Sequence, residues 1–353
     1  MPHVRREMAI RTVFLVLFAP LASFAHHSTR GFFDPDVKIE IQGLITAVTW
    51  RNPHTVFELD VQNGNGEVTQ WHVESGALAV LRAQGLTSEI LKVGDNVKIL
   101  GDQSTRNLPE IFARNILLAN GQEVMLTLGA EEYFSSQDEV ELLAGSYDEE
   151  STAIARRKAH GIFRVWSRIG EGLRINASIF SDSAIDNFPF TDHGRAIRDQ
   201  WDPGADFILG CTDWNMPRLM NNPLPMEFLQ EGENIVIRFE EGDNRRTIYM
   251  NQDTANAPRE NTLMGYSVGE WDGETLLVRT TNILENSYEL PVSSEVELLE
   301  TFKPSADGST LDYEIVVTDP VMLESPVTQR TTWTWRPEIS VRSYACEVEQ
   351  EVN

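Results

Sequence analysis

What most constrains this chain is the shortness of its regular segments. Its apolar residues mostly repeat at period two, in runs of strand length broken by glycine, asparagine and aspartate. Val37 to Ile41 alternates, Gly43 interrupts, and Leu44 to Trp50 continues, so the glycine marks a bulge or sharp bend. Thr55 to Val61 alternates again and sets Phe57, Leu59 and Val61 on one face. Asn63-Gly64-Asn65-Gly66 is a hairpin turn, and Val68 to Val73 returns. A helix is expected between Gly76 and Gly85. Val97 to Gly101 and Phe112 to Leu118 close the set. Five strands, one helix and a bent first strand predict a small OB-like barrel over residues 26–128.

Residues 129–160 are first acidic and then basic, and read as a solvated connector with one or two short helices. Strands return over residues 161–353, first as Gly161 to Trp166 and Leu173 to Phe180. A stretch rich in proline and asparagine follows from Asn187 to Leu229. Beyond it the strands are Asn234 to Glu240, Arg246 to Asn251, Met264 to Trp271, Thr275 to Thr281, Val296 to Lys303, Leu311 to Thr318 and Thr328 to Trp335. Asp272-Gly273 and Asp307-Gly308 are tight turns. Short turns between successive strands predict an antiparallel meander that closes into a calycin-like barrel, or folds as a sandwich, because an open edge invites aggregation. The fold class is therefore all-β.

Residues 1–25 have the form of a secretory signal peptide. Arg5, Arg6 and Arg11 precede a short apolar run, and Ser23-Phe24-Ala25 offers the small residues of a cleavage site. The run is too short for a stable membrane anchor, and no later run approaches a bilayer span. A periplasmic or secreted protein with His26 as its first residue is expected. In an oxidising compartment the two cysteines, Cys211 and Cys346, should be disulfide-bonded. A net charge of −25 argues against nucleic acid and anionic membrane surfaces as partners.

Four short motifs, His26-His27-Ser28, Asn52-Pro53-His54, Trp71-His72-Val73-Glu74 and Gly94-Asp95, occur in this order. Over roughly residues 26–127 the chain resembles a bacterial exported domain of unknown function that starts His-His-Ser. The second half, with Pro225-Met226-Glu227-Phe228, Gly265-Tyr266-Ser267-Val268-Gly269 and Trp271-Asp272-Gly273-Glu274-Thr275-Leu276, resembles a second uncharacterised exported family. These resemblances imply export and two-domain organisation, and bring no activity with them.

The histidines carry the sharpest chemistry. An N-terminal histidine offers both an amine and an imidazole, a donor set that suits Cu(II). In strands, His72 and Glu74 share one face, and His54, Glu58 and Asp60 share another, each opposite apolar neighbours. If the apolar side fills the barrel, these polar side chains cover one outer face. His26, His27, His54, His72 and Glu74 are thus the candidate ligands for copper or another transition metal. An ordinary polar surface with a frayed tail is the alternative.

Three other patterns carry chemical signatures. Gly265-Tyr266-Ser267-Val268-Gly269 matches G-x-S-x-G, but a nucleophile elbow must open a helix, and here another strand follows, so Ser267 reads as a strand residue. Trp333 and Trp335 share a face and either line a cavity for a small apolar ligand or fill the core; polar residues inside the barrel would favour a ligand. Glu240-Glu241-Gly242-Asp243 lacks calcium-loop spacing and reads as a solvated hairpin tip. The leading expectation is an exported binding protein. The alternatives are a secreted enzyme, either a hydrolase or a copper-dependent oxidase, and a non-catalytic envelope interaction protein.

Overall fold

The first sheet is built around β1, Phe33–Thr49. The computed structural model describes residues 32–136, 140–143, 147–169, 185–201, 211, 214–250, 260–288 and 290–347. β1 runs unbroken through Gly43, and its register slips just beyond, between Ile45 and Ala47. A Cβ at Gly43 would stand 2.6 Å from the carbonyl oxygen of Asp60, so the glycine admits the neighbouring backbone. β1 is long enough to serve two partners. Its outer half pairs with β2, Val56–Gln62, and its earlier part with β4, Asn96–Ser104.

β3, Val68–Glu74, pairs antiparallel with β2 and parallel with β5, Glu110–Leu117, which in turn pairs with β4. The cycle β1-β2-β3-β5-β4 is therefore closed, with helix α1, Leu78–Ala83, between β3 and β4, as in an OB-fold. β6, Gln122–Met125, and the two-residue β7, Glu141–Leu142, extend the sheet beyond β5. Phe57, Leu59, Val73, Ile99, Ile111 and Ile116 fill the interior. Helix α2, Glu149–Lys158, falls within the expected connector; Asp148 caps it by accepting from the Ser151 amide, and none of its residues is buried.

The second sheet closes on itself. Its strands are β8, Val165–Ser167; β9, Met226–Glu231; β10, Asn234–Phe239; β11, Arg245–Met250; β12, Tyr266–Asp272; β13, Thr275–Thr281; β14, Glu297–Pro304; β15, Thr310–Thr318; and β16, Val327–Trp335. The order is β10-β11-β12-β13-β14-β15-β16-β8-β9, a barrel and not a sandwich. Between β8 and β9 the chain forms helix α3, Asp192–Arg198, and a 3-10 turn at Arg218–Asn221. The expected strand at Leu173 to Phe180 lies outside the described residues.

Two expectations are corrected. The barrel is not a pure meander: β11 and β12 run parallel, Ile248 opposite Ser267. Parallel neighbours need a crossover rather than a tight turn, and residues 251–265 separate the two strands. Second, Glu240-Glu241-Gly242-Asp243 joins β10 to β11 but is not a solvated tip. Glu240 is wholly buried and Glu241 nearly so. Burial is tolerated here because each carboxyl has hydrogen-bond donors, as follows.

The 240–243 turn lies where the two barrels meet. Arg82 of α1 donates to Glu240, and the Arg342 amide adds a bond of 3.2 Å. Asn222 donates to Glu241 at 2.7 Å, while Ser343 and the Tyr344 amide donate to Asp243. Val80, Met125, Ile169, Leu224 and Tyr344 form an apolar cluster drawn from both halves. Asn52 fastens the C-terminal tail to this junction, donating to the Tyr344 carbonyl and accepting from the Leu78 amide. Cys211 and Cys346 are disulfide-bonded, as expected, so the tail is also tied to the segment after α3.

Candidate functional site

The histidine face grows from the β2–β3 hairpin. Period two sends Phe57, Leu59 and Val73 inward, where all three are buried. Glu58, His72 and Glu74 therefore point out, and register sets Glu58 opposite His72 and Glu74 opposite the buried Val56. His54 follows a cis Asn52–Pro53 peptide and leads into β2; its ring meets the Phe112 ring edge-on at 5.6 Å.

Nδ1 of His72 lies 2.9 Å from a Glu58 oxygen, and Nδ1 of His54 lies 3.0 Å from Oε2 of Glu74. The other Glu74 oxygen is 4.0 Å from Nε2 of His72. Glu74 therefore connects the two imidazoles. The four side chains are 19–30% exposed, partly dry yet reachable from solvent. A neutral imidazole beside a carboxylate carries its hydrogen on the nitrogen that faces it. A hydrogen on Nδ1 of each neutral ring would leave Nε2 with the lone pair, the arrangement found where a carboxylate orients a metal-binding histidine.

The structure thus brings together three of the five residues expected from sequence: His54, His72 and Glu74. His26 and His27 lie outside the described residues. Glu58 joins the cluster as the acceptor for His72; its place on the shared face was readable from the strand period, but its pairing depends on hairpin register. Among the described residues, no group of three or more histidine, cysteine, aspartate or glutamate side chains has the geometry to hold a metal ion by itself.

Ser267 is a strand residue, as expected, with no helix behind it. Its hydroxyl sits inside the second barrel, 3.0 Å from both Nε of Arg246 and the Thr280 hydroxyl. Arg246 forms a two-pronged ion pair with Glu300, and both are wholly buried. Tyr313 donates to Glu300 at 2.8 Å. Burial raises the Tyr313 hydroxyl well above its ordinary range, with the Glu300 charge acting in the same direction. Polar residues do occupy the barrel interior, but they satisfy one another. Trp333 is buried against Tyr313 and Phe302 and fills the core. Trp335 is only partly covered and faces a cleft beside the barrel.

Residues 15–108 match the model of a family of unknown function, DUF6152. The matched span includes the whole histidine face and ends just before β5, leaving the second barrel outside it. The chain matches no curated protein.

Proposed function

We propose that the chain is an exported binding protein whose first barrel takes up a transition-metal ion, copper above others, on the face of His54, His72 and Glu74. The observation that carries this reading is the 4.0 Å gap between Nε2 of His72 and Oε1 of Glu74. Metal bonds to nitrogen and oxygen of about 2.0–2.2 Å each span about that distance when the two ligands stand on opposite sides of the ion. Nδ1 of His72 is already oriented by Glu58, which favours Nε2 as the ligating atom. Two ligands do not make a stable site, so His26 and His27 would supply the rest. In a chain cut after Ala25, the terminal amine joins the imidazole of His26, giving the nitrogen-rich set that Cu(II) prefers.

Native mass spectrometry on untagged protein exported to the periplasm tests this reading. The expected mass begins at His26 and carries one copper. A chain that stays metal-free after copper is added overturns it and leaves the face as an ordinary polar surface. Copper retained together with substrate-dependent turnover would instead favour a copper-dependent oxidase.

A further inference from the structure

Beside the junction of the barrels lies a cleft of about 680 Å³, within the range typical of small-molecule sites. No residue of the histidine face lines it. Helix α2 forms one side through Ile154, Ala155 and Lys158, and the second barrel forms the other through Phe163, Arg164 and Trp335.

Its charge opposes that of the molecule. The chain has 54 acidic against 29 basic residues, yet the cleft is lined by Arg82, Lys158, Arg164, Arg336 and Arg342. Its three acids are all engaged. Asp148 caps α2, Glu338 accepts from Arg336, and Glu227 is paired with Arg238. Arg82 is held by Glu240 and Arg336 by Glu338 and the Ile169 carbonyl. Among the described residues, that leaves Lys158, Arg164 and Arg342 with no carboxylate within 4.0 Å.

Arg164 is the most constrained of the three. Its guanidinium lies over the Trp335 ring at 4.4 Å and, among the described residues, donates to backbone carbonyls alone, Gly161 at 3.0 Å and Gly308 at 2.7 Å. Asp307 acts on it from a distance and offsets part of its charge, since the Ser305 and Ser309 donors keep that carboxylate ionised, yet it forms no ion pair with the guanidinium. A half-buried guanidinium fixed by stacking and by neutral acceptors is preorganised for an anion.

We propose that this cleft binds a small organic anion, a single carboxylate- or sulfonate-type head on an apolar body. The head sits at Arg164, within the field of Lys158 and Arg342. The body lies along the wall of Ile154, Ala155, Phe163 and Trp335. A polyanion is disfavoured by the net charge of −25, which repels it before it reaches the cleft.

The test is a fluorescence titration of the full chain, disulfide intact, with two probes. Anilinonaphthalene sulfonate carries an anionic head, and N-phenyl-naphthylamine has the same kind of rings without charge. The sulfonate is expected to bind saturably with one equivalent per chain, about tenfold tighter than the neutral probe. Arg164→Gln should weaken the sulfonate about tenfold and leave the neutral probe unchanged. Should Arg164→Gln fail to fold, the solvent-exposed pair Lys158→Ala and Arg342→Ala decides, with an expected loss of about threefold and a shallower salt dependence. Equal binding of the two probes, or variants that hold the sulfonate as tightly as the parent chain, overturns the proposal.

Discussion

Arg82 on the first barrel's helix donates to Glu240, a carboxylate wholly buried at the start of the turn between β10 and β11. Burial pushes the Glu240 carboxyl up, and the Arg82 charge pulls it back. The pair joins the two barrels, and its halves are not equivalent. Arg82 is partly exposed and can be solvated when alone; Glu240 cannot.

Removing the cation should therefore cost more than removing both charges. Arg82→Ala is expected to lower stability by about 3 kcal/mol, the low end for a broken buried pair because Arg82 is partly solvated. Arg82→Ala combined with Glu240→Gln should recover part of that loss. Urea unfolding of the single and double variants checks the order. Equal stability of Arg82→Ala and the parent chain would show that the pair contributes nothing to the junction.

The neighbouring acid predicts a pH dependence. Glu241 accepts from Asn222, and burial raises its carboxyl to about 7 from an ordinary 4.5. The folded chain thus holds this proton more tightly than the unfolded chain. The resulting stabilisation is complete below the unfolded value and is lost as pH rises through the window up to about 7. Over that window the loss is about 3 kcal/mol. Denaturation midpoints measured across it should fall with rising pH, and Glu241→Gln should flatten the trend. A parent chain and variant with parallel profiles would contradict this assignment.

Inside the second barrel, Arg246 and Glu300 form an ion pair with no solvent on either side. Arg246→Met leaves Glu300 uncompensated and should cost about 3–5 kcal/mol, whereas Arg246→Met with Glu300→Leu should return most of it. A double-mutant cycle on thermal unfolding separates the two outcomes. If the double variant is no better than the single one, the surrounding Ser267, Thr280 and Tyr313 hydroxyls, and not the unpaired charge, set the cost.

The Cys211–Cys346 bond closes a loop with a sequence separation of 135 residues. In the chain-entropy account a loop of that size contributes at most about 5 kcal/mol. Replacing both cysteines by serine should lower the urea midpoint and abolish its sensitivity to reductant. An unchanged midpoint would mean that the contacts of Asn52 and Asp243 with the tail suffice to hold it.

Much of the first barrel was legible because its information is local. Period two placed Phe57 and Leu59 inside and Glu58, His72 and Glu74 outside, and Asn63 to Gly66 fixed the hairpin that brings Glu58 opposite His72. What was not legible depends on partners distant in sequence. The parallel pairing of Ile248 with Ser267 follows from a crossover that no turn signal announces. Glu240 reads as solvent-facing until Arg82, 158 positions away, is placed beside it. Trp335 reads equally as a cavity wall or a core aromatic and Arg164 carries no sequence signal, and only barrel closure through β8 and β16 stacks one on the other.

The central claim concerns the ligating role of His72 and Glu74. It is tested most directly by a Cu(II) titration, in competition with a chelator, of the chain that begins at His26. One equivalent per chain is predicted, with affinity falling at least about tenfold in both His72→Ala and Glu74→Gln and less in Glu58→Gln, which only orients the ring. Copper bound equally well by the parent chain and by His72→Ala and Glu74→Gln, or no copper bound at all, would contradict it.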